Sequence, residues 1–164
     1  MESKKYQKII NSWSMYDWGK SAFETTIMAA VLPVYYSTVA AATLPANQAT
    51  VYWGYTASIA LLIIAILSPM LGAIADYQGS KKRYLRYFAL IGIAATAMMF
   101  FIGTGDWLLA SALFIIGNVG LAGGNVFYDS LLPHIAQQDD IDQISTRGYA
   151  LGYLGGGLLL AINL

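Results

Sequence analysis

The sequence predicts an all-α protein, a polytopic bundle of transmembrane helices, and three observations predict it. Hydrophobic residues make up 57% of the chain and charged residues only 11%, against about 25% charged in soluble domains. Uncharged runs extend from Thr25 to Ala42, Val51 to Ala75, Tyr87 to Gly105 and Trp107 to Tyr128. Each approaches the roughly 20 helical residues needed to cross a hydrocarbon layer about 30 Å thick. Finally, the cations cluster on alternate connections between those runs, as they do in chains that follow the positive-inside rule.

Taken in order, a first span of about 21–44 is opened by Lys20 and closed by the turn residues Pro45-Ala46-Asn47. A second span, 50–75, leads into a short basic hairpin. The third, 84–103, ends at Gly103-Thr104-Gly105, and the fourth, 106–135, runs into an acidic loop from Gln137 to Thr146. A fifth stretch, 147–164, is too short for a comfortable crossing once its glycines are considered, so the chain is expected to be truncated. Lys4, Lys5, Lys8 and Lys20 precede or open the first span, Lys81, Lys82, Arg83 and Arg86 join the second to the third, and Arg147 precedes the fifth. The connections near Pro45 and Asp106 hold no Lys or Arg, which puts the N-terminus in the cytoplasm. The expected location is a cell (inner) membrane, or a vacuolar membrane in a eukaryote.

A formal net charge of zero gives no basic surplus to attract nucleic acid. One histidine and no cysteine do not supply the usual zinc ligands, so no metal or other cofactor is expected. His134, after Pro133, reads as a capping or interfacial histidine.

The polar residues inside the apolar runs are the candidates for chemistry. Asp17, Lys20 and Glu24 are spaced i, i+3 and i+7, one helical face about 10 Å long. A charge at the bilayer centre costs about 2.5–3.5 kcal/mol, so such a face usually borders a bundle interior or an aqueous cavity. Lys20 is within reach of Glu24, although Asp17 and Lys20 are also close enough to the interface to be solvated. In the fourth span Ser111, Asn118, Asn125 and Asp129 form a second stripe, with Tyr128 beside it. Its asparagines serve equally well as interhelical glue. Gly148, Gly152 and Gly156 repeat every fourth residue and, with Gly157, form a small-residue ridge for close packing. In the hairpin GAIADYQGSKKR, Gly72 permits close backbone approach, Asp76 can pair with a cation or a helix N-terminus, and Gly79 permits a left-handed turn.

That hairpin resembles the loop signature of the major facilitator superfamily, Gly-x-x-x-Asp-Arg-x-Gly-Arg-Arg, at Gly72, Asp76, Gly79, Lys81 and Lys82, with Tyr77 and Ser80 at positions usually held by arginine. YDWGKSAFETTIMAAVLPVYY at 16–36, NVFYDSLLPHIA at 125–136 and ISTRGYALGYLGGGLLL at 144–160 resemble the vacuole effluxer-like group, relatives of a fungal exporter of amino acids. The resemblance implies that 1–164 is an N-terminal half-domain fragment of a transporter whose C-terminal half is the missing partner. It implies a gate latch at Asp76 and Lys81 to Arg83, and amino acids as substrates. It also implies a central cavity lined by the first and fourth spans, so the two polar stripes are expected to face each other. Gly148 to Gly157 further resembles an antiporter signature, with Tyr153 in place of its proline.

Two other classes compete. GTGD at 103–106 and the YD pairs at 16–17 and 128–129 resemble the paired aspartates of intramembrane proteases. Two carboxylates sharing a proton must lie about 3 Å apart, and these are expected at opposite membrane faces. A packing module without transport would explain the glycine ridge but not Glu24. The expectation is therefore a secondary transporter in the bilayer. Asp17, Glu24 and Asp129 would bind a substrate ammonium or a coupling proton, and Asn118 and Asn125 would orient the substrate.

Overall fold

The computed structural model describes residues 2–77 and 79–163. Leu164, the end of the fifth expected span, lies outside them. Helix accounts for 91% of the described residues, and no strand occurs among them. Helix α1 is Glu2–Ala22. It continues without a break as a π-helix, Phe23–Val31, one α-helical turn, Leu32–Tyr35, and a second π-helix, Tyr36–Ala40. Then follow α2 (Ala46–Tyr77), α3 (Lys81–Met98), α4 (Trp107–Ile135) and α5 (Ile141–Asn163).

Among the described residues, three segments are long and apolar enough to cross a membrane: Ala46–Tyr77, Lys81–Phe101 and Trp107–Ile135. Their outer surfaces suit lipid. In α2 the large side chains Leu61, Leu62, Ile66 and Met70 are exposed, whereas Ala49, Thr56 and Ala60 are buried. Small residues inside and large aliphatics outside are what helices that associate within lipid require. At 32 residues, α2 is about 48 Å long. It exceeds a hydrocarbon layer of about 30 Å and must tilt or project.

The departures from the expected boundaries have local causes. The first expected span is not a separate helix, because nothing breaks α1 at residue 21. Its hydrogen-bond ladder loosens instead. The Thr25 hydroxyl donates to the Ser21 carbonyl at 2.8 Å, and Ser37 and Thr38 both donate to the Val34 carbonyl. Such back-bonding competes with the backbone ladder, and it accompanies both π segments. Helix α5 begins at Ile141 rather than near 147, since Asp142 in its first turn suits the positive end of a helix. Tyr6 secures the preceding turn by donating to Asp140 Oδ2 at 3.1 Å and accepting the Gln137 N–H at 3.2 Å.

By internal contacts the chain forms two compact units, residues 1–31 with 131–164, and residues 32–130. In the first, Ile10, Trp13, Met28 and Ile144 are buried, along with Gly148, Gly152, Gly155 and Gly156 of α5. In the second, Tyr36 packs on Trp53 and Trp53 on Phe114, with ring centroids 4.9 and 4.7 Å apart. Beside these rings lies a chain of buried hydroxyls. Thr56 Oγ1 is 2.8 Å from both the Tyr52 carbonyl and Ser111 Oγ, and Tyr36 Oη is 3.2 Å from Ser111 Oγ. Thr56 shares its proton between the Tyr52 carbonyl and Ser111 Oγ, and either hydroxyl can supply the proton of the Tyr36–Ser111 bond.

Candidate functional site

The face of α1 that meets α5 in the first unit is polar. Ser14, Asp17, Ser21 and Thr25 follow helical spacing, so they share that face. Opposite them α5 presents glycines. A Cβ added at Gly152 would fall on Asp17 Oδ2 and within 2.8 Å of Ser21 Oγ; one at Gly156 would lie 2.6 Å from Thr25 Oγ1; one at Gly155 would meet the Trp18 ring at 2.8 Å. The notch left by Gly152 is what admits a carboxylate between two helices.

Asp17 is only 2% exposed, and its Oδ1 lies 2.9 Å from the Lys20 ammonium. Lys20 thus pairs with the acid three residues before it. Glu24, four residues after, is exposed in the first π segment and makes no ion pair with a described residue. Asp17 is not solvated at an interface, because the helix contact has closed around it. Two more hydroxyls in this unit, Ser14 Oγ and Thr26 Oγ1, are buried without a hydrogen-bond partner among the described residues, an unusual condition in a native protein. Tyr16, on the turn before the expected first span, has its pKa raised from 10.0, first by burial and then by the Asp17 charge.

The stripe on α4 is more heavily committed. Ser111 belongs to the hydroxyl chain, and the Asn118 amide donates to the Phe114 carbonyl of its own helix at 3.1 Å. Asn125 is half-buried, Tyr128 buried and Asp129 exposed. Pro133 lacks the N–H that would otherwise bond the Asp129 carbonyl.

At the hairpin, Lys81 turns inward. It is 9% exposed, and its ammonium donates to the Ser130 carbonyl at 3.0 Å, where the negative end of the α4 dipole favours a cation. Tyr84 stacks on Phe127 at 5.0 Å and fixes the same end. Asp76, Lys82 and Arg83 are exposed. Gly72 and Gly79 have nothing within 4 Å of an added Cβ, so neither marks a close backbone approach. Gly105 is left-handed, with φ of 94°. Gly157 also faces open space, and Gly155 completes the ridge in its place.

Asp106 is engaged in the α3–α4 turn, where its carboxylate accepts the Gly103 N–H at 2.8 Å. Asp129 lies near the other end of α4, about 34 Å away by helical rise, so these two cannot share a proton. No group of three His, Cys, Asp or Glu side chains among the described residues is placed to hold a metal ion. Sequence reasoning missed Ser21, Thr25 and Gly155. The 14-17-21-25 periodicity was the available signal for the first two.

The helical architecture agrees with what comparison finds. A family model described as vacuole effluxer Atg22 like matches residues 46–164. The chain belongs to the Atg22-like vacuole effluxer family. An uncharacterized MFS-type transporter of Bacillus subtilis (strain 168), YxiO, is 40% identical over 98% of this chain. Autophagy-related protein 22 of Coccidioides immitis is 35% identical over 52% of the chain, and autophagy-related protein 22-2 of Aspergillus niger 32% over 57%. The chain spans 38% of the length of the Bacillus relative and 14% and 16% of the fungal ones. No solved structure matches it. An Atg22-like chain with these helices is a membrane protein, and the names of its relatives point to transport rather than enzymatic catalysis.

Proposed function

We propose that this chain forms part of a secondary transporter that exports a small polar solute, an amino acid, by alternating access. In that reading it works with a further helical half, as the greater length of its relatives suggests. The observation that carries the proposal is the Asp17–Lys20 pair at 2.9 Å, buried against Gly152. A charge pair within a membrane protein is expensive and is usually retained for function. Asp17 is the group that exchanges Lys20 for a substrate ammonium or a coupling proton, and the unpartnered Ser14 and Thr26 hydroxyls offer hydrogen bonds nearby in sequence. Glu24 is a second proton carrier in the loosened helix. Asn118, Asn125, Tyr128 and Asp129 remain substrate-contact candidates on the strength of their stripe on α4. Asp76, Lys82 and Arg83 form the movable part of a cytoplasmic gate, with Lys81 as its fixed anchor. The one-sided Lys and Arg distribution supports a cytoplasmic N-terminus.

The test is reconstitution of the full-length transporter in liposomes under an imposed proton or sodium gradient, with each amino acid offered in turn. Saturable, gradient-dependent movement of at least one amino acid is expected. Movement of none, alongside normal insertion, would contradict the proposed substrate class.

A further inference from the structure

The exposed face of α1 carries a basic groove that the transport reading does not use. Lys4, Gln7, Lys8, Asn11, Ser12 and Met15 line a wide-open, shallow hollow of about 480 Å³ on the helix surface. Their spacing puts all six on one side of the helix. Lys4 and Lys8 are exposed one turn apart, where like charges repel, and neither forms an ion pair with a described carboxylate. Asp140, in the turn that leads into α5, is held by Tyr6 instead.

Asn11 sits between these cations and α5. Its Oδ1 accepts from Arg147 Nη2 at 2.8 Å, which leaves the amide N–H groups as the donating half of the side chain. Ser12 gives its proton to the Lys8 carbonyl. The groove therefore offers two ammonium groups and an amide donor, with Arg147 adding a third positive charge behind Asn11. At its far end Met15 is 55% exposed, an apolar surface beside a cationic one.

We propose that this groove binds the phosphate headgroup of an anionic membrane lipid, with Met15 against the start of an acyl chain. A phosphate satisfies the unpaired lysines, and the thioether selects an amphiphile over a bare anion. Because Arg147 ties Asn11 to α5, the bound headgroup clamps α1 to α5. Asn11 lies about 9 Å along the helix from Asp17, so the lipid steadies the helix pair that carries the buried charges. This inference needs only a membrane protein and is independent of the transport reading.

The experiment follows thermal unfolding of the purified full-length protein during titration with short-chain phosphatidylglycerol, short-chain phosphatidylcholine or inorganic phosphate. Phosphatidylglycerol should raise Tm, and the other two should not. In Lys4→Gln/Lys8→Gln the apparent affinity should fall about 30-fold, from roughly fivefold per lysine at an anionic surface. Lys4→Arg/Lys8→Arg should retain it. Lys5→Gln/Arg86→Gln, which removes the same charge outside the groove, should also retain it. Equal loss in the two Gln pairs would reduce the site to general surface charge and overturn the proposal. Equal protection by inorganic phosphate would make it a free-anion site and overturn the lipid assignment.

Discussion

Two helix contacts in this molecule are built with the same device and filled with different chemistry. Where α3 meets α4, a Cβ on Gly120 would lie 2.6 Å from the Gly92 nitrogen and 2.9 Å from the Phe88 carbonyl, and one on Gly123 would enter the Phe88 ring. Backbone and an aromatic ring occupy the space that glycine vacates. Where α1 meets α5, the space opened by Gly152 and Gly156 receives the Asp17 carboxylate and the Ser21 and Thr25 hydroxyls. Close packing alone explains the first contact, since small residues let helices approach in lipid. It does not explain the second, because an apolar filling would pack as well without the cost of burying charge. In the proposed reading, the difference is that between a structural contact and a functional one, although both look like glycine ridges.

The largest effect on stability is expected at the apolar contact. Gly120→Ala sets a methyl group against backbone that cannot step aside, so it should cost about 3 kcal/mol, the upper part of the range for overpacking. Denaturant unfolding in detergent measures this, and transport per folded molecule should be nearly unchanged. Gly152→Ala should reverse the pattern. Its methyl group meets the ends of two side chains, which can swing away, so destabilisation should stay within about 1–3 kcal/mol. Displacing Asp17 from Lys20 loses a charge-assisted bond worth about 1.5–3 kcal/mol, so transport should fall at least about tenfold. Similar transport by the two variants, normalised to folded protein, would erase the distinction between the contacts.

Much of this was legible in the sequence, for physical reasons. Long uncharged runs leave a chain little choice but apolar helices: the runs at 51–75 and 107–128 lie within segments able to span a membrane, and the run at 87–105 overlaps a third, Lys81–Phe101, and outruns its end. A glycine every fourth residue announces a close contact but not its partner, which is why the polar face of α1 opposite Gly152 and Gly156 had to be seen. Lys20 has an acid within reach on each side, and spacing alone cannot choose between them. Burial chose Asp17. The inward turn of Lys81, read with Lys82 and Arg83 as part of one basic run, could not be foreseen because the Ser130 carbonyl that holds it is a backbone group with no sequence signature. The loosening of the first helix depends on which carbonyls the Thr25, Ser37 and Thr38 hydroxyls take, again a matter of three-dimensional geometry.

Two smaller effects sharpen the comparison. Ser111→Ala interrupts the hydroxyl chain and removes the Ser111 partner of the buried Tyr36 hydroxyl, at a cost of about 1–2 kcal/mol. Unfolding should register that loss while transport stays near normal, as for a structural contact. Glu24→Gln should change stability by less than about 0.5 kcal/mol, because Glu24 is exposed. Gradient-driven accumulation should nevertheless fall if Glu24 carries protons, and unchanged accumulation would confine coupling to the buried pair.

The claim that the α1–α5 contact is functional rests on Asp17. Its most direct measurement is gradient-driven amino-acid accumulation by the full-length protein in liposomes, wild type against Asp17→Asn, with each rate divided by the amount of folded protein. The Asp17→Asn protein is expected to insert and fold yet accumulate at least about tenfold less substrate, the loss of one charge-assisted interaction. Accumulation at the wild-type rate would mean that the buried carboxylate only holds two helices together.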